Sequence, residues 1–145
     1  MIYVRIDNGV TGTIAILETD KPPVFVVTPV IETLSYQKSK AKKIHRVDHE
    51  ALEFLLKACD PTCTRVFIER PMINAMRFQA SISAARSLEA TLIVLERLHL
   101  GYEYVDSKTW QRVMLPDGVK GAETKTASND VGARMFPMYE TLIQK

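Results

Sequence analysis

Hydrophobic and polar positions alternate from the first residues. "IYVRID" (2–7), "TGTIAIL" (11–17) and "VFVVTPV" (24–30) each read as a strand, and the breaks between them are Asn8-Gly9 and Lys21-Pro22-Pro23. Links this short predict an antiparallel meander. A polar, basic stretch, "SYQKSKAKKIHRV" (35–47), comes next. The period then changes to that of a helix, opened by Asp48 as N-cap with Leu52, Leu55, Leu56 and Cys59 on one face. "RVFIE" (65–69) is a buried strand stopped by Pro71. Phe78, Ile82, Ala85, Leu88, Leu92 and Leu95 then mark a long amphipathic helix from 78 to 99, closed by Gly101. "YEYV" (102–105) is a fifth strand, "SKTWQRVML" (107–115) a short helix capped by Ser107, and "TKTASNDVGARMF" (124–136) a last helix stopped by Pro137.

This order predicts an α/β fold with a five-stranded mixed sheet. A strand, a crossover helix and a further strand in one sheet run parallel, so the fourth and fifth strands should lie parallel to the first, with helices on the faces. Length bounds the domain count: 145 residues suit a single domain spanning 1–145. The net charge of +2 does not mark a nucleic-acid protein by itself, so any basic surface must come from local clustering. No apolar run is long enough for a bilayer span, so no membrane partner is expected. Cys59 and Cys63, with no secretory signal before them, predict reduced thiols in a cytoplasmic protein. A zinc site would need two further ligands, for which His45 and His49 are the histidines at hand.

The candidate chemistry lies in two acids. In the predicted topology Asp7 and Glu69 end parallel strands at the edge where α/β sheets bind ligands. If those two strands are neighbours the acids lie roughly 5 Å apart, and two carboxylates that close repel unless a cation sits between them. Hard oxygen donors at that spacing suit Mg2+, with Mn2+ as a substitute, and paired acids holding divalent ions support attack of water on a phosphodiester. The plainer reading is that Asp7 caps the Asn8-Gly9 turn while Glu69 pairs with Arg70 or Arg5. A third reading takes "IDNGVTGT" as the phosphate-binding turn of an actin-like ATPase, which a chain this short cannot surround with two lobes.

Five stretches in order, "IDNG" with the "TGTIAIL" hairpin, "VFIERP", "SISAARSLEATLIVLERL", "YVDSKTWQRVMLP" and "TKTASNDVGARMFP", resemble the RuvC-like Holliday junction resolvases, in particular the compact bacteriophage versions. The resemblance implies an RNase H-like fold and a homodimer. It also implies a Mg2+-dependent endonuclease that nicks four-way or other branched DNA in recombination and repair, working in the bacterial cytoplasm if phage-encoded. Asp7 and Glu69 become its catalytic and metal-binding acids, and Lys125 matches the family's lysine in the last helix. The family carries a further Asp-x-x-Asp after the Phe-Pro, whereas here "MYETLIQK" follows. Asp130 and Glu140 are the acids nearest that place, and neither is assigned to the site. A branched-DNA-binding protein that does not cut is the alternative expectation.

The expected DNA contacts follow from charge. Lys38, Lys40, Lys42, Lys43 and Arg46, with His45 among them, form either a solvated loop or a phosphate clamp. Arg70, Arg77, Lys120 and Lys125 add positive charge expected near the acidic edge. In "RPMINAMRF" (70–78), Met72, Met76 and Phe78 read either as a plug over the sheet end or as a wedge against unstacked bases. Ala80, Ser83, Ala84 and Ser87 give the long helix a small-residue face, suited to close packing within the subunit or to pairing with a second copy.

Overall fold

A computed structural model describes residues 1–35 and 43–139. The chain divides into two compact units, Met1–Val105 and Asp106–Lys145. The first contains strands β1 (Ile2–Ile6), β2 (Thr13–Glu18), β3 (Val24–Val27), β4 (Val30–Leu34) and β5 (Lys43–Val47), helix α1 (His49–Leu56), β6 (Thr64–Glu69), helix α2 (Phe78–Arg97) and β7 (Tyr102–Val105). The second contains α3 (Ser107–Met114) and α4 (Glu123–Met135).

The main sheet has the order β3-β2-β1-β6-β7. β1, β2 and β3 pair antiparallel, while β6 runs parallel to β1 and β7 parallel to β6. This is the predicted meander with two parallel strands added. Alternation assigns the faces. Ile2, Val4 and Ile6 of β1, Ile14 of β2 and Val66 and Ile68 of β6 join Leu52, Leu56 and Cys59 of the α1 region and Val94 and Leu95 of α2 in one buried cluster. Tyr3, Arg5, Asp7, Phe67 and Glu69 alternate onto the other face.

Two expectations need correction. Residues 24–30 are not one strand. Pro29 has no N–H to give a ladder, so the chain leaves the main sheet there, and 30–34 pairs instead with 43–47 in a separate two-stranded hairpin. The C-terminal end of the basic stretch is therefore a strand, fastened at its base by the Asp48 amide donating to the Pro29 carbonyl at 2.9 Å. The buried stripe of α2 also matches the predicted one only in its second half, where Leu95 is buried and Leu88 and Leu92 pack against the core. Its buried residues are Ser81, Ser87, Thr91, Val94 and Leu95, while Phe78 and Ala85 are exposed. Hydroxyl groups can lie inside because they are satisfied locally: Thr91 Oγ1 donates to the Ser87 carbonyl at 2.9 Å, and Ser81 bonds to Asn74. The helix caps differ less. Asp48 caps α1 as expected, accepting from the Ala51 amide at 3.1 Å, while the N-cap position of α3 is Asp106, one residue before Ser107, and its side chain makes no cap bond.

Candidate active site and nucleic-acid interface

Parallel pairing of β1 with β6 sets Ile6 opposite Ile68, so Asp7, the residue after β1, and Glu69, the last residue of β6, stand side by side at neighbouring strand ends on the same face. The turn after Asp7 is held tightly. The Asp7 amide donates to the Thr13 carbonyl at 3.0 Å, and Gly12 lies so close that a Cβ there would overlap the Asp7 backbone carbonyl. Only glycine fits at this approach. Asn8 reaches away from the turn and donates its side-chain amide to the Ala84 carbonyl of α2 at 3.0 Å. The acid on β1 is thus braced against the helix that follows the acid on β6.

The electrostatics match the geometry. Asp7 keeps an exposed edge, yet loss of solvent around it raises its carboxyl above the ordinary aspartate value of 3.8. The Glu69 charge raises it further, and Arg5 opposes both. Glu69 is 23% exposed and accepts from Arg5 Nη2 at 2.8 Å. The plainer sequence reading of Glu69 is therefore present in the same place as the sharper one: the acid that adjoins Asp7 also holds an arginine.

The connection from β6 to α2 is built outward. Asn74 accepts from the Met76 amide with its side chain at 2.9 Å. Its backbone amide donates to Ser81 Oγ, whose hydroxyl donates to the Asn74 carbonyl, both at 2.9 Å. On this fastened base Met72, Ile73, Met76 (93% exposed) and Phe78 (63% exposed) all face solvent. A buried plug over the sheet end is thereby excluded. Arg77 is exposed beside them, and Arg70 lies with its guanidinium 5.4 Å from the centre of the Tyr104 ring.

Of the basic stretch, Lys38, Lys40 and Lys42 fall outside the described residues, as does Glu140. Lys43 is on β5 with its ammonium 2.9 Å from Glu32. His45 and Arg46, with His49, Arg86 and Arg97, line a cavity of about 450 Å3 between β5 and α2. Ser83 lines the same cavity, Ser87 is buried, and the Ala84 carbonyl is taken by Asn8, so part of the small-residue face is engaged within the unit. In the second unit Lys120 is exposed ahead of α4, and Lys125 is exposed in its first turn. Cys59 is buried in the core and Cys63 half-buried, both as free thiols. Among the described residues no three His, Cys, Asp or Glu side chains gather into a metal-binding group.

Sequence reasoning missed the Asn8 brace and the Asn74–Ser81 fastening. Asn74 had a visible signal, an asparagine just before a short helical turn, whereas Asn8 needed the α2 backbone to be placed first.

No protein-family model matches the chain, and no curated protein matches it by sequence. Solved structures do. Thermus thermophilus RuvC in complex with a Holliday junction substrate is similar over 94% of this chain and 80% of that one, with a TM-score of 0.58 at 9% identity. A further structure of Thermus thermophilus RuvC is similar over 94% of this chain and 81% of its own, with a TM-score of 0.56 at 10% identity. The fold is RNase H-like. At 9% and 10% identity the likeness to these RuvC structures is one of fold.

Proposed function

We propose that this protein recognises four-way and other branched DNA and nicks it with the help of a divalent cation held by Asp7 and Glu69. The observation that carries the reading is the side-by-side position of these two acids at the ends of parallel β1 and β6, in a fold shared with a RuvC whose structure includes a Holliday junction. The donor set fits a hard cation. Both ligands are carboxylates, and Asp7 is held above its ordinary pKa by burial and by its neighbour's charge, an imbalance that positive charge relieves. Mg2+ or Mn2+, once bound, would supply Lewis acidity and an acidified water.

The remaining work belongs to the chain. Asp7 and Glu69 set where at the sheet edge the cation would be held. The exposed Met76 and Phe78 present apolar surface to unstacked bases at a branch point, with Arg77 beside them for a phosphate. Lys43 and Arg46 of the hairpin, Arg70, and Lys120 and Lys125 of the second unit, with Lys38, Lys40 and Lys42, supply sequence-independent phosphate contacts. A second copy paired along α2, where Ile93 is exposed, would set two such sites on a two-fold axis, as paired nicks require.

A second reading, junction binding without cleavage, is favoured by one observation: only two carboxylates meet at the described site. Gel shifts with labelled four-way junction and duplex of equal length test what the two readings share, and tighter binding of the junction is expected. Equal affinity for the two contradicts both.

A further inference from the structure

Arg5 occupies the sheet position where the two acids meet. On β1 it alternates onto the face of Asp7, and across the parallel ladder it stands opposite Phe67, two residues before Glu69. Its side chain leans along the strand to place Nη2 2.8 Å from Glu69 Oε2. The three groups therefore form one cluster, two carboxylates and a guanidinium, on adjacent strands. A guanidinium stays charged at every pH at which the fold exists, and it satisfies a carboxylate through directed N–H bonds. An incoming cation meets a Glu69 that already has a positively charged partner.

From this geometry we infer that Arg5 is the resident counter-ion of the two-acid site: it holds Glu69 before a divalent cation arrives, and it must release that carboxylate for the cation to bind. The inference rests on the reading of Asp7 and Glu69 as cation-binding acids. It assigns Arg5 a positioning role, acting through Glu69 rather than on the DNA. Two consequences follow. Glu69 is kept in one orientation at the strand end instead of swinging away from its neighbour's charge. The cation concentration needed to load the site is raised by the strength of the ion pair, which for a partly exposed pair is worth roughly a fewfold in affinity.

Loading is read without cleavage, from the loss of the free Mn2+ signal by electron paramagnetic resonance in DNA-free buffer. Arg5→Gln should bind Mn2+ about fivefold tighter than the parent. Arg5→Lys keeps the charge but loses the forked geometry, and should fall between the two. Glu69→Gln should bind more weakly, and adding Arg5→Gln to it should bring no further tightening, because the carboxylate that Arg5 competes for is gone. That last comparison separates direct competition from a general gain of negative charge. Binding by folded Arg5→Gln that is equal to or weaker than the parent's overturns the inference. If the Gln variant does not fold, binding by Arg5→Lys no tighter than the parent's does so in its place. Parent binding that survives both Asp7→Asn and Glu69→Gln puts the ion elsewhere, and the reading of the acids falls together with that of Arg5. Binding that depends on the acids but ignores Arg5 removes the Arg5 inference alone.

Discussion

Asn8 and Ala84 lie 76 residues apart in sequence, yet the Asn8 side-chain amide donates to the Ala84 carbonyl at 3.0 Å. This bond joins the turn that carries Asp7 to the middle of α2. A side chain-to-backbone hydrogen bond of this kind contributes about 1 kcal/mol net. Asn8→Ala should therefore lower the free energy of unfolding by about that amount, seen as a lower urea midpoint with an unchanged slope. Asn8→Asp should cost more, since it sets an acceptor against an acceptor.

Gly12 offers a sharper test of the same turn. A methyl group there would meet the Asp7 backbone carbonyl, so Gly12→Ala must move the strand end that holds the acid. Overpacking of this sort costs about 1–3 kcal/mol. The expected outcome is a lower melting temperature together with weaker Mn2+ binding, whereas Gly101→Ala, at a position with open space, should leave Mn2+ binding unchanged.

Asp7 gives the protein a predictable pH dependence. Its carboxyl titrates above the ordinary value of 3.8 in the folded state, owing to burial first and Glu69 second, with Arg5 opposing. The folded chain thus binds that proton more tightly than the unfolded chain. Stability from this group is greatest below 3.8, falls as pH rises through the folded pKa, and stays reduced above it. Asp7→Asn removes the penalty. In chelator it should melt above the parent at pH 7, and the gap should close as pH falls toward 3.8. A gap that is constant across this range would show that the Asp7 charge is not the cause.

Met76 and Phe78 separate stability from recognition. Both are largely exposed, so Met76→Ser and Phe78→Ser should change unfolding free energy by no more than about 0.5 kcal/mol. If either stacks on an unpaired base, its loss should weaken junction binding by about 1–3 kcal/mol and leave duplex binding unchanged. Equal losses on both DNAs would return these side chains to general surface contacts.

The sheet was legible because its residues obey local rules. Alternation in 2–7 and 11–17, the Asn8-Gly9 and Pro22-Pro23 breaks and the apolar run before Glu69 all specify strands, and connection length then dictates which of them run parallel. That topology puts Asp7 and Glu69 at one edge of the sheet, and the strand order, with β6 beside β1, makes them neighbours. The hairpin 30–34 with 43–47 was not legible, because Lys43, His45 and Arg46 hide a period of two and only Val30 of the partner strand fell within a predicted strand, the run that crosses Pro29. The polar part of the buried face of α2 escaped for a related reason. Ser81, Ser87 and Thr91 look polar in sequence yet are buried, and the Ser81 and Thr91 hydroxyls find backbone partners there. The Arg5–Glu69 bond was one of two pairings open to Glu69, and register decided it: Arg5 lies on the adjacent strand and the same face.

The measurement that bears most directly on the account is a nicking assay on a four-way junction labelled on each arm, with Mg2+, comparing the parent with Asp7→Asn and Glu69→Gln. The account predicts paired nicks by the parent and a loss of about 100-fold or more in either variant. Junction binding without metal should be retained or tightened in both, since each substitution removes a charge that repels phosphate. Nicking by either variant at the parent's rate would contradict the assignment of the two acids. A parent that binds the junction but leaves every arm intact would contradict the enzymatic reading itself.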